Sequence, residues 1–90
     1  MERTLEADRL YRGALEAQRR ILGNSHQDTL DTLYNLAALR AGQGRLSEAL
    51  DMLREAVANG WSDAEWPLED PDLSPLHGNA EFEAILSKID

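Results

Sequence analysis

Between residues 28 and 58 the chain carries two amphipathic segments separated by a short turn, a pattern that few folds accommodate. Apolar side chains recur in both segments at the spacing of about 3.6 residues that an α-helix requires. They are Leu30, Leu33, Leu36, Ala37 and Leu39 in the first segment and Leu46, Ala49, Leu50, Leu53 and Ala56 in the second. The turn is Gly42-Gln43-Gly44, where glycine can take the positive φ that ends a helix. The pattern predicts an antiparallel helix–turn–helix hairpin.

A third helix is expected ahead of the hairpin, over residues 3–23, ending at Gly23. Three of its apolar positions recur 42 residues later in the hairpin: Ala7, Tyr11 and Ala14 correspond to Ala49, Leu53 and Ala56. In the linker that follows, Ser25 and Asp28 have the S-x-x-D form of a capping box, so we expect Ser25 to cap the first hairpin helix.

The hairpin resembles the tetratricopeptide repeat (TPR). The matching positions are Leu33, Leu36, Ala37, Gly44, Ala49, Leu53 and Ala56. The match is incomplete, since Leu33 replaces the usual Trp and Arg40 stands at the Tyr position. The linker from Leu22 through His26 to Thr29 resembles that of kinesin-light-chain-type repeats, which are longer than ordinary TPRs. The resemblance implies an all-α superhelix fragment, in which residues 3–23 are the B helix of a partial repeat and 28–58 are a complete repeat.

The C-terminal third differs in pattern. Pro67, Pro71 and Pro75 rule out one long helix, and Asn79 is expected to cap a last helix over 80–89. The segment resembles the end of many bacterial TPR proteins, which implies that residues 62–90 form a C-terminal cap on the solenoid within one domain, 1–90. Six apolar residues are expected to cover the open side of the 46–58 helix: Trp61, Trp66, Leu68, Leu73, Leu76 and Phe82.

Charge and composition exclude several partners. The chain has 90 residues, 17 of them acidic and 9 basic, for a formal net charge of −8. Nucleic acids and anionic membranes are bound mainly through Lys and Arg, so neither is expected as a partner. No apolar run approaches the ~20 residues that span a bilayer, and the first residues contain no signal-peptide core. The expected location is the cytoplasm.

No pattern in the sequence indicates catalysis, a cofactor or a metal. Nucleophile elbows, phosphate-binding glycine loops and HExxH motifs are absent, and the chain has no cysteine. His26 has no second histidine at ligand spacing, so we expect it to pack and hydrogen-bond within the linker. The acids between Asp63 and Asp72 do not follow the EF-hand pattern, because Pro67 and Pro71 interrupt it. We therefore expect a non-enzymatic protein.

The TPR resemblance implies a groove along the first hairpin helix that binds a partner protein or peptide. The implied groove residues are Asp31, Tyr34, Asn35 and Ala38. Asn35 can donate to and accept from a peptide backbone, and Tyr34 can offer an aromatic face and a hydroxyl. The basic clamp by which some TPR domains hold acidic chaperone tails is not expected, because Asp31 has the opposite charge and Ala38 carries none.

The partial repeat suggests an interface of a different kind. Without its own A helix, part of the first helix should be exposed, and such faces usually mark interfaces. The candidate residues are Leu5, Leu10, Tyr11 and Ala14. Two functions therefore stay open: a peptide-binding module, or a structural cap or homo-oligomerisation module without a peptide ligand. A homo-oligomer or membership of a longer TPR array is expected.

Overall fold

The structure, a computed structural model, describes residues 2–89, with side chains from Leu5 to Ile89. Within that range all of the regular secondary structure is helical. The elements are α1 (Glu2–Ile21), α2 (Gln27–Gly42), α3 (Leu46–Ala58), α4 (Trp66–Glu69), a 3₁₀ segment (Pro71–Leu76) and α5 (Ala80–Leu86). This confirms the expected all-α, TPR-like fold of antiparallel helix hairpins. No helix in the described residues is long and apolar enough to cross a membrane.

The turns show which glycines the chain needs. Gly44 takes a φ of 80° between α2 and α3, and Gly23 takes 93° after α1. Gly42, by contrast, is the last residue of α2 and keeps a negative φ. The left-handed position in the Gly-Gln-Gly turn is therefore the second glycine, where a side chain would be strained.

Two predictions about helix ends were wrong. The side chain that caps α2 belongs to His26, not Ser25, because His26 is the residue with extended backbone and its Nδ1 accepts from the Asp28 N–H at 3.1 Å. The last helix ends at Leu86 rather than residue 89, since the bonds that follow it are i→i−3 turns, such as Ile89 N–H to the Leu86 carbonyl. Asn79 caps α5 as expected, accepting from the Phe82 N–H at 3.1 Å.

The core lies on both sides of α2. Leu36 and Ala37 are fully buried in α2: Leu36 packs in one cluster with Leu15 of α1 and Ala56 of α3, and Ala37 in a second cluster with Ala49 of α3. Small side chains at these crossings let the helices approach closely, and the larger leucines fill the space between them. α2 is thus the element against which the others are placed.

A buried carboxylate also joins α1 to α2. Asp8 forms an ion pair with Arg12 at 2.7 Å and accepts two longer contacts from the Arg40 guanidinium at 3.4 Å. Arg45 of the turn before α3 lies 3.7 Å from the same carboxylate. An isolated buried charge would be costly, so these three arginines are what allow Asp8 to lie inside.

The C-terminal segment packs on α2 and α3, but not with all the residues expected. Leu73, Leu76 and Phe82 are fully buried there, whereas Trp66 and Leu68 keep 46% and 53% of their surface exposed. α4 is a single turn that buries Pro67, so the residues on either side of that proline point outward. The expectation that Trp66 and Leu68 cover α3 was wrong.

Candidate peptide-binding groove

One face of α2 forms the floor of an open groove. Asp31, Asn35, Ala38 and Gly42 follow one another at the spacing that aligns residues along a helix. Two adjoining clefts, of about 380 Å³ and about 570 Å³, lie over this stripe and share Asn35, Ala38 and Asp72 in their linings. We call the two clefts together the α2 groove.

The opposite wall of the groove comes from the segment that follows α3. At the Asp31 end it is built by Trp61, Trp66, Asp70 and Asp72. At the Gly42 end it is built by Pro71, Ser74 and Pro75, with Tyr11 of α1 closing the cleft. Sequence patterns placed these residues in a cap, not in a groove wall. The Asp-Pro-Asp-Leu pattern indicated a turn, and only its packing on α2 shows what the turn faces.

Tyr34 lines the groove but does not present its polar group to it. The side chain is 4% exposed, and its ring stacks on that of Trp61 with centroids 4.6 Å apart and planes 4° from parallel. Its hydroxyl donates to Asp70 Oδ2 at 2.7 Å. The aromatic face and the hydroxyl of Tyr34, which were expected to contact a partner, are thus taken up by Trp61 and Asp70 of the same chain.

Burial and charge shift the titration of this phenol. Desolvation raises the pKa of Tyr34 most, and the hydrogen bond to Asp70 and the negative charges of Asp70, Asp63 and Asp72 raise it further. Tyr34 therefore stays protonated as a donor throughout the physiological range.

Asp70 connects the C-terminal wall of the groove to α2. Its side chain is buried, with one carboxylate oxygen accepting from Tyr34 and the other accepting from the Asp72 N–H at 2.9 Å, where it caps the 3₁₀ segment. Pro71 at the first position suits that start, because it has no N–H to leave unsatisfied. One carboxylate thus holds the C-terminal wall against α2.

The four groove residues expected from the sequence line a single cleft, at the Asp31 end. Two of them are accessible. Asp31 is exposed and accepts from Gln27 Nε2 at 2.7 Å, and Asn35 is exposed, with no partner for its amide among the described residues. Ala38 and Tyr34 are buried and form the floor and wall. The groups that can meet a ligand from α2 are a carboxylate and a carboxamide.

The residues expected at an oligomer interface do not form one face of α1. Leu10 and Ala14 are exposed and, with Ala17 and Ile21, lie along one side of the helix. Leu5 is exposed too, but about 140° around the helix from Leu10. Tyr11 is half-buried, packs against the core between α1 and α2, and lines the groove. Tyr11 thus lies on the side of α1 that faces α2 and the groove, and its part in an oligomer interface stays a prediction.

Neither histidine takes part in a metal site in the described residues, where no group of three or more potential ligands converges. His26 caps α2, as described above, and His77 Nε2 lies 3.0 Å from the Pro67 carbonyl.

Comparison with known proteins settles the family. Residues 1–59 match the tetratricopeptide repeat family model. The chain belongs to the tetratricopeptide repeat family. This TPR chain is also 28% identical, over 82 residues, to a chloroplastic protein of Arabidopsis thaliana; the match covers 89% of this chain but 24% of that relative. No solved structure matches.

Proposed function

We propose that this TPR chain is a non-enzymatic protein–protein interaction module whose partner peptide lies in the α2 groove. TPR proteins act in general through protein–protein contacts, which supports an interaction role. The observation that carries the finer proposal is the exposed Asn35 amide, centred in the groove where the two clefts meet. A carboxamide there can donate to a peptide C=O and accept from its N–H at once.

The proposal includes a limit on affinity. A stable, specific interface buries about 800 Å² on each partner, and one A helix with a short wall offers less than that. The chain alone therefore binds a peptide weakly, and further repeats in an array extend the groove. In the same proposal, residues 62–89 act as the C-terminal cap of the kinesin-light-chain-type array expected from the sequence; the cytoplasmic location stays a prediction.

The test is a selection of peptides from a displayed random library on the purified chain, followed by fluorescence polarisation with Asn35→Ala. We expect the selected peptides to lose about tenfold in affinity, the effect of removing a two-bond contact. Asn24→Ala, an exposed asparagine outside the groove, is the matched control and should bind as the parent does. Equal binding to both variants, each with an unchanged melting temperature, would place the ligand elsewhere and refute the proposal.

The exposed side of α1 favours a second candidate, a structural or homo-oligomerising role without a peptide ligand. Leu10 is 67% exposed and Ile21 is 74% exposed, and monomeric proteins rarely leave an apolar stripe of this kind exposed to solvent. Light scattering across a concentration series tests this candidate. This candidate predicts a dimer or a larger species. Leu10→Asp should dissociate that species, and the control Leu68→Asp, at another exposed leucine, should leave it intact. A monomer at all concentrations would exclude the homo-oligomerising role for this chain.

A further inference from the structure

The Asp31 end of the α2 groove combines an exposed indole with negative charge that no described cation neutralises. Its lining includes Asp31, Asp70 and Asp72 and contains neither Lys nor Arg. Trp66 lines the same cleft, and 46% of its surface is exposed to solvent. Resting on the proposed function, the chemistry of this end identifies the class of partner.

We propose that the Trp66 end of the α2 groove binds a lysine- or arginine-bearing segment of a partner protein. A cation over an indole face is attracted by the π system, and a carboxylate beside it adds charge-assisted hydrogen bonds. Asp31 on α2 and Asp72 on the opposite wall are both exposed, so a side chain entering between them meets a carboxylate on either side.

Five of the seven arginines whose side chains are described are engaged elsewhere. They pair with carboxylates of α1, α3 and α5: Arg12 and Arg40 with Asp8, Arg19 with Glu55, Arg45 with Glu48, and Arg54 with Asp51 and Glu81. Within the residues whose side chains are described, no ion pair reaches Asp31, Asp70 or Asp72. The ion pairs of this acidic chain thus lie outside the groove, and the groove carboxylates have no cationic partner among the side chains described.

Local structure fixes the backbone that carries the exposed indole of Trp66. Asp63 Oδ1 accepts from the backbone N–H of Glu65 and of Trp66, each at 3.0 Å, and Pro67 is buried immediately after. The neighbouring Trp61 is fixed by its stack on Tyr34 and by its Nε1–H, which donates to the Asp63 carbonyl at 2.8 Å. Trp66 is therefore presented from a capped turn, so little backbone entropy at this position is lost when a ligand binds.

A second line of support comes from Tyr34 at the bottom of the cleft. Besides burial and its hydrogen bond, the charges of Asp70, Asp63 and Asp72 raise the pKa of its hydroxyl. Three carboxylates thus act on the buried Tyr34 hydroxyl, and their negative field also attracts a cation that enters the groove from solvent.

The experiment is an NMR titration of the full chain with an eight-residue peptide of alternating Gly and Arg. Two matched peptides carry citrulline, the uncharged isostere, or Glu in place of Arg. We expect saturable shifts for the arginine peptide at the Trp66 indole N–H and at the amides of Asp31, Asn35 and Asp72. We expect at least fivefold weaker binding of the citrulline peptide and no binding of the Glu peptide.

Variants distinguish the groove from the overall charge. Asp31→Asn with Asp72→Asn should weaken arginine-peptide binding about three- to tenfold, and Trp66→Ala should weaken it about threefold or more. Glu16→Gln with Glu83→Gln removes the same charge from exposed positions outside the groove and should change affinity by less than about 1.5-fold.

Each other outcome overturns the inference, and the outcomes separate it from the proposed function. Equal groove binding of the arginine and citrulline peptides would leave a peptide groove without a preference for cations. Equal losses in the two double variants would show attraction to net charge alone. Shifts clustered on α1 and α3 would place the site elsewhere and count against both proposals. The same shifts on adding Ca²⁺ alone would assign the carboxylates to a metal ion.

Discussion

Removing one oxygen from Tyr34 should measure how strongly the groove wall is held. In Tyr34→Phe the ring can keep its stack on Trp61, while the 2.7 Å hydrogen bond to the buried Asp70 carboxylate is lost. A hydrogen bond to a charged group contributes about 1.5–3 kcal/mol. Asp70 keeps its bond from the Asp72 N–H, so the expected loss in the free energy of unfolding is about 2 kcal/mol. For a domain of this size that corresponds to a fall in melting temperature of about 8–16 °C.

The assay is urea denaturation followed by circular dichroism, which gives the free energy of unfolding and its slope. Tyr11→Phe is the matched control: Tyr11 is half-buried, and no hydrogen bond of its hydroxyl occurs within the described residues. We expect that control to change stability by less than about 0.5 kcal/mol. If Tyr34→Phe lowers the free energy of unfolding no more than Tyr11→Phe does, the bond to Asp70 does not hold the C-terminal wall against α2, and this reasoning is refuted.

Three further predictions follow from single residues. The pKa of the Tyr34 hydroxyl is raised above its ordinary 10.0, so the unfolded chain loses the hydroxyl proton at a lower pH than the folded chain does. This contribution to the free energy of unfolding should be complete below about pH 10 and fall as pH rises beyond it. Urea midpoints measured between about pH 8 and 11 should therefore fall less in Tyr34→Phe than in the parent chain. Gly44→Ala at φ 80° should destabilise by about 1 kcal/mol. Gly42→Ala lies at the last residue of α2, where an added Cβ would meet no neighbouring group within 4 Å, and should stabilise by up to about 1 kcal/mol in thermal melts; the same sign for both would contradict the turn geometry. Asn79→Ala should lose about 1 kcal/mol with the cap of α5, and an unchanged melting temperature would show that this helix does not need it.

Sequence periodicity predicted the hairpin well because its information is local. The spacing of Leu33, Leu36 and Leu53 states which side of each helix is buried, and two adjacent helices with one short turn have few ways to bury those sides. The TPR resemblance, not periodicity, implied that Asp31 and Asn35 face a groove, and both line the same cleft along α2. Periodicity did not separate Tyr11, which lines the groove, from the exposed Leu10 and Ala14, because apolar residues lie on both of these sides of α1.

The C-terminal wall was less predictable for a different reason. Residues 61–76 carry three prolines and short turns, so no helical period marks their inner side. Trp61 and Trp66 look alike in sequence, yet one stacks on Tyr34 and the other stays open to solvent. The difference arises because the Asp63 cap and the buried Pro67 orient the one-turn α4, and that is a result of packing.

By itself, the sequence determined the helices, the turn between α2 and α3, the family, and the charge of the chain. These depend on residues close together along the chain or on composition alone. The tertiary structure decided the nature of the groove: Tyr34 is bonded to Asp70, 36 positions away, and the other wall is an acidic segment with an exposed indole. A helical pattern specifies that a face is covered, but what covers it depends on how distant segments pack, and that packing is settled only when the whole chain folds.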